Sequence, residues 1–279
     1  MPNPSKAVLI TGCSSGIGRA TARRLAADGW HVYATARRLE TLAELERAGC
    51  RTLALDVTDE DSMSAAVGAV IEAEGAVGVL VNNAGYSQSG AVESVPMGQV
   101  RSQFETNVFG LIRMCQLVLP GMRDQRWGKI VNIGSMGGRA TFPGGGLYHA
   151  TKYAVEAISD ALRFEVRGFG VDVILVEPGL IVTNFGETGS ASVPEDGPYL
   201  EFNRKLAELT SGAYKGPMAK LGGGPDVVAN TIAGALASER PRARYPVTPS
   251  AHLMINLRRL VPDRLWDRMM RAQFPMPRA

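Results

Sequence analysis

The sequence predicts an α/β chain built on a doubly wound parallel sheet of about seven strands, flanked by helices and forming one domain over residues 1–279. Two observations carry this expectation. Short β-branched runs that read as buried strands alternate with longer helical patterns for most of the length, and parallel strands need such crossovers. No internal repeat or linker-like tract divides the chain.

Taken in order, strands are expected at Ala7–Thr11 (AVLIT), Val32–Ala36 (VYATA), Arg51–Leu55, Val77–Asn82 (VGVLVN), Lys129–Ile133 (KIVNI) and Val171–Val176 (VDVILV). Between them fall helical patterns over Gly16–Asp28, Leu39–Ala48, Ser62–Glu74, Met97–Arg123 and Leu147–Gly168. Right-handed crossovers then place helices on both faces. A further strand is expected at Ala243–Val247 (ARYPV), where Pro246 lacks an N–H and confines it to an edge or a strand end. Two Gly/Pro-rich stretches, Gly186–Pro198 and Gly212–Pro225, bracket a helix over Tyr199–Ser211. They follow the carboxyl end of the sixth strand, where ligands bind in such sheets, so a substrate lid is expected around 186–225. A C-terminal helical extension is expected over 250–279, with Leu257, Leu260, Leu265, Met269 and Met270 set among arginines. That amphipathic mix favours packing over the site or against another subunit, with membrane-surface contact as the lesser reading.

Composition excludes several classes. A formal net charge of +3 without any Lys/Arg-rich block argues against nucleic acid as a partner. Cys13, Cys50 and Cys115 are odd in number and form no C-x-x-C pair, which argues against a disulfide framework or cysteine zinc site. His31, His149 and His252 are scattered without metal spacing, and no metal is expected. No stretch reaches the roughly 18 apolar residues of a membrane span. The few residues before the first strand leave no room for a signal peptide, so a reducing, cytoplasmic setting is expected.

Between the first strand and first helix lies Thr11-Gly12-Cys13-Ser14-Ser15-Gly16-Ile17-Gly18, a G-x-x-x-G-x-G turn. Glycines there allow a tight turn, and free N–H groups at the helix start attract a pyrophosphate, as in Rossmann-type dinucleotide sites. The second strand ends in Ala36-Arg37-Arg38, where NAD enzymes usually carry an acid for the ribose hydroxyls. A carboxylate would repel a 2′-phosphate and guanidinium would hold it, which favours NADP(H), with NAD(H) still admissible. Arg37 is the better placed of the two arginines.

Tyr148-His149-Ala150-Thr151-Lys152 opens a strong helical pattern, and positions i and i+4 share a face. Free tyrosine, with a pKa near ~10, is a poor base at neutral pH, and a close ammonium favours its phenolate. Ser135 follows the Lys129–Ile133 strand on the edge where ligands bind, with a hydroxyl free to meet a substrate oxygen. Asn82-Asn83-Ala84-Gly85 ends the preceding strand, where small residues admit a cofactor ribose. Asn107 falls inside the Met97–Arg123 helix, an awkward place for asparagine that points to a local backbone or water task. His149 lies one helix step of about 100° from Tyr148 and reads as a surface or structural histidine.

On TGCSSGIG at 11–18, Asp56-Val57, NNAG at 82–85, Asn107, Ser135, YHATK at 148–152 and Pro178-Gly179 with Thr183, the sequence resembles the short-chain dehydrogenase/reductase family over roughly residues 5–185. VYATARR and the GGGLYHATKYAVEAISDALRFEV run resemble its hydroxysteroid and retinol dehydrogenase-like branch, which implies a hydrophobic alcohol or ketone substrate. The resemblance implies a tetrad of Asn107, Ser135, Tyr148 and Lys152, in which Tyr148 exchanges a proton with the substrate oxygen and Ser135 orients it. Lys152 would lower the tyrosine pKa and bind the nicotinamide ribose, while Asn107 would hold a water linking Lys152 to solvent. Cofactor contacts implied are Gly12, Ser14, Ser15, Gly16, Ile17, Gly18, Arg37, Arg38, Asp56, Val57, Asn83, Ala84, Gly85, Tyr148, Lys152, Pro178, Gly179, Ile181 and Thr183. A homodimer or homotetramer through the two long central helices follows by analogy. The expected activity is NADP(H)-dependent alcohol/carbonyl interconversion; the alternative is a non-catalytic NADP(H)-binding sensor or regulator on the same fold, which would not need all four residues of the tetrad.

Overall fold

The structure is a computed structural model that describes residues 4–183, 185, 197–213, 217–274 and 276. Its strands are β1 (Ala7–Ile10), β2 (His31–Ala36), β3 (Arg51–Ala54), β4 (Val79–Asn82), β5 (Gly128–Ile133), β6 (Val171–Pro178) and β7 (Arg244–Val247). They form one parallel sheet in the order β3-β2-β1-β4-β5-β6-β7. Strand order reverses where β1 is flanked by β2 and β4, which opens a crevice beyond the carboxyl ends of the strands. Register brings these ends level, with Ile10 beside Val81, Asn82 beside Asn132 and Ile133 beside Val176. The residues that follow each strand are thereby delivered to one edge. β7 lies at the sheet edge, where Pro246 removes no internal ladder bond.

Alternation along the strands splits the core in two. Val8 and Ile10 face helices α1 (Gly16–Ala27) and α8 (Pro225–Ala237), packing with Leu25, Val228 and Ile232. Ala7 and Leu9 face α3 (Glu60–Glu74), α5 (Gly110–Asp124) and α6 (Gly146–Glu165), among Val67, Met114 and Val155. Helix α8 emerges from a stretch read as irregular up to Pro225, because proline suits a first helical position. The buried Lys129 ammonium donates to the carbonyls of Leu236 and Ser238 at 2.8 and 2.6 Å, closing that helix's C-terminus.

Three helical expectations change. Leu39–Ala48 is a 3₁₀ turn (Leu39–Leu42) followed by the short α2 (Ala43–Arg47). The pattern over Met97–Arg123 is not one helix: α4 (Met97–Phe104) and α5 are joined by a π-helical turn at Glu105–Phe109. After α6 the chain closes with a 3₁₀ turn, Arg167–Phe169. Of the expected lid around 186–225, residues 186–196 and 214–216 lie outside the described residues, and α7 (Leu200–Ala213) lies within them. The chain then forms α9 (Pro249–Leu260) and α10 (Asp263–Gln273), which bury Trp266 and Met270 beside Ala140, Phe142 and Leu257. Among the described residues, no helix is long and apolar enough to cross a membrane.

Candidate active site

Gly12 and Gly16 take left-handed backbone angles, φ 74° and 57°, which side chains disfavour. A Cβ on Gly18 would run into the Gly12 carbonyl, so α1 can approach the turn only with glycine there. The Thr11 hydroxyl accepts the N–H groups of Asn83 and Ala84, each at 3.0 Å. Asn83 Nδ2 donates in return to the Thr11 and Gly12 carbonyls at 2.9 Å. The Asn83 amide therefore holds the glycine turn in shape as well as lining the cavity. Arg19, missed in the sequence reading, folds over the outside of the turn and donates to the carbonyls of Ser14 and, at 3.2 Å, Thr41.

The two arginines after β2 separate. Arg37 lines the cavity and has no ion-pair partner among the described residues. Arg38 turns to Glu40 at 3.7 Å on the exposed surface. Asp56 lines the same end of the cavity and accepts the Thr58 N–H and hydroxyl at 2.9 and 2.8 Å. At the other end, Gly179 sits where a Cβ would strike the Thr248 and Ser250 hydroxyls, and the Ser250 hydroxyl accepts the Leu180 N–H at 3.0 Å. Ile181 bridges to Gly223, and a Cβ on Gly16 would meet the Thr183 methyl at 3.3 Å.

Tyr148 and Lys152 lie in the first two turns of α6. The Lys152 ammonium donates to the Ile133 carbonyl at the end of β5 at 2.8 Å and lies 5.9 Å from the Tyr148 ring centroid. Burial pushes its pKa down to about 8. Ser135, two residues beyond β5, starts a short 3₁₀ turn, and its hydroxyl accepts the Gly137 N–H at 3.0 Å. Asn107 sits in the π-helical turn, a distortion that recurs at functional sites. Its amide donates to the Tyr86 carbonyl at 2.9 Å and the Thr151 hydroxyl at 3.1 Å, and its oxygen accepts the Tyr86 N–H at 3.1 Å. A Cβ on Gly85 would come within 3.1 Å of that oxygen and 3.9 Å of Lys152 Nζ.

One cavity of about 1470 Å³ joins these groups. Every site residue expected from the sequence lines it except Gly18, Arg38 and Asn107, which stand behind its wall or outside it. Beyond Tyr148 it continues along an apolar wall that includes Phe142, Met254, Leu257, Met269 and Phe274. His149, expected at the surface or in a structural role, is buried and lines the cavity as well.

A short chain dehydrogenase family model matches residues 6–192. A 3-ketodihydrosphingosine reductase of Bacteroides thetaiotaomicron is 43% identical over 204 residues, 73% of this chain and 68% of its own. An NADPH-dependent 3-dehydrocapnine reductase of Ornithobacterium rhinotracheale is 35% identical over 272 residues, 94% of each chain. The crystal structure of a short-chain dehydrogenase from Streptomyces avermitilis superposes with a TM-score of 0.80 at 35% identity, covering 96% of this chain and 98% of that one. With this fold and this coverage, the chain belongs to the short-chain dehydrogenase family and is an oxidoreductase of CH–OH and C=O groups.

Proposed function

We propose that the protein is an NADP(H)-dependent oxidoreductase that interconverts an alcohol and a carbonyl on a hydrophobic substrate, with Tyr148 as acid/base. The observation that carries this reading is the single cavity in which Arg37, Ser135, Tyr148 and Lys152 meet an apolar wall. The residues fit the dinucleotide, since left-handed Gly12 and Gly16 leave the start of α1 open and Gly85 leaves a gap beside Lys152. Gly12, Ser14, Ser15, Gly16 and Ile17 would hold the pyrophosphate and Arg37 the 2′-phosphate. Asp56 and Val57 would flank the adenine, Lys152 the nicotinamide ribose, and Ile181 and Thr183 the carboxamide. When bound, the dinucleotide gives or takes the hydride. The NADPH-dependent relative supports the cofactor preference, and the two reductases support a carbonyl substrate.

Tyr148 donates its phenolic proton to the substrate oxygen during reduction and takes it back during oxidation. The Ser135 hydroxyl orients that oxygen. The Lys152 ammonium favours the tyrosinate and hence proton release. Asn107 acts from behind by fixing the Tyr86 main chain beside the site, and the water between it and Lys152 is part of the same proposal. Helices α7, α9 and α10 wall the substrate end. Exposed Phe109 and Phe164, on the two long central helical segments, support a homodimer or homotetramer. Three free, buried cysteines fit a reducing, cytoplasmic setting.

The test follows NADPH oxidation against a panel of short and long ketones and aldehydes. Long apolar ketones are expected to be reduced best, and Tyr148→Phe should lose about 10²–10⁴-fold in kcat. Undiminished activity in Tyr148→Phe would overturn the mechanism, and NADPH binding without turnover of any carbonyl would favour a sensor.

A further inference from the structure

The mechanism leaves several polar groups of the cavity unused, and His149 is the one next to Tyr148 in the chain. His149 follows Tyr148 near the start of α6 and is 8% exposed. Side chains near a helix start lean back beyond it, so both residues project towards the strand ends despite their angular separation. The main-chain N–H of Phe142 donates to His149 Nδ1 at 3.3 Å. A nitrogen that accepts carries no proton, so the neutral ring is protonated at Nε2. Burial pushes the pKa down to about 4, which leaves the imidazole uncharged near neutral pH.

The ring is held rather than loose. A Cβ on Gly137 or Gly145 would meet Nε2 at 3.2 or 3.0 Å, so both neighbours are pressed against it. Phe142 packs edge-on at 5.7 Å between centroids, and the Tyr148 ring lies at 5.6 Å. The Nε2–H has no acceptor among the described residues. A Cβ on Gly137 would also lie 3.3 Å from Ser135 Oγ, so Ser135 and the imidazole sit on the same side of Gly137 in the cavity wall. The donor faces the cavity, and a substrate that supplies an acceptor there gains from meeting it.

We propose that His149 determines specificity: its Nε2–H donates to a second oxygen of the substrate, carried close to the reacting carbonyl. This rests on the reading that Tyr148 and Ser135 hold the reacting oxygen. The adjacency of the two rings places the second acceptor in the substrate's head group and not in its apolar tail. The substrate class is a long-chain ketone oxygenated at the β-position, as an ester, acid or hydroxyl.

The experiment uses the full-length protein with NADPH and two probes of equal chain length, a methyl ketone and a β-keto ester. The expected result is a wild-type preference for the keto ester, measured as the ratio of kcat/KM values. That ratio should fall about tenfold in His149→Phe, which keeps the ring volume and removes the donor. His149→Leu, which also removes the donor, should show the same fall and guards against misfolding of the first variant. An unchanged ratio in the folded variants, with both ketones losing equally, would overturn the subsite and leave Tyr148 as acid/base intact. A wild-type protein that reduces neither ketone would overturn the Tyr148 reading, and the subsite with it.

Discussion

Asn107 and Tyr86 hold one another through both faces of the Asn107 amide. Nδ2 donates to the Tyr86 carbonyl at 2.9 Å, and Oδ1 accepts the Tyr86 N–H at 3.1 Å. The exchange ties the π-helical turn to the segment after β4. Replacing Asn107 with leucine leaves a part-buried N–H without its partner and weakens the hold on the carbonyl. A cost of about 1–3 kcal/mol is expected, which would lower Tm by roughly 2–10 °C. Thermal unfolding measures it, and an unchanged Tm would show that the turn does not depend on this contact.

Lys152 carries a buried charge whose pKa burial has already pushed down to about 8. Lys152→Met keeps the stem and removes the ammonium. It should reduce kcat by at least about 10²-fold while raising Tm by a few degrees, since desolvating a charge costs stability that function retains. A loss of activity accompanied by a fall in Tm would mark the ammonium as structural.

Arg37 and Arg38 are adjacent in sequence, yet Arg37 faces the cavity and Arg38 pairs with exposed Glu40. Arg37→Asp should weaken NADPH binding at least about tenfold more than NADH binding. Equal losses would place the 2′-phosphate elsewhere. Arg38→Ala should change either affinity little, because an exposed ion pair contributes little.

Glu177 is almost fully buried, and burial first, then the neighbouring Glu156 charge, raise its pKa to about 7. Arg139 lies 3.6 Å from both carboxylates. In the folded state Glu177 keeps its proton to higher pH than in the unfolded chain, where carboxyls titrate near ~4.3. The folded state then binds more protons between those values, so stability is lost as pH rises towards and through 7. Glu177→Gln should flatten that decline and raise Tm at pH 8 by at least about 2 °C relative to wild type. An identical pH dependence in the variant would show that another group is responsible.

The fold was legible because strand and helix periods are local. AVLI, VLVN and VDVILV carry their buried character in the residues themselves, and Pro246 announces an edge strand. Much of the site was legible for the same reason: the glycine turn and the Tyr148/Lys152 pair each lie within one short segment. The interruption of the Met97–Arg123 pattern was not, since Asn107 within it bonds the Tyr86 main chain, 21 residues away.

By itself, then, the sequence determined the parallel α/β sheet, the dinucleotide turn and the residue types at the strand ends, all written in spacings shorter than one crossover. The tertiary structure alone decided how side chains are aimed. It assigned the Asn83 amide to the glycine turn, chose Arg37 over Arg38 for the cavity, and brought α9 and α10 across to wall the space beyond Tyr148. His149 shows the difference most plainly. Its helical position suggested a side chain turned from the site, and the packing of Phe142, Gly137 and Gly145 around its ring set it in the cavity wall. Direction depends on neighbours distant in the chain, and no local period encodes them.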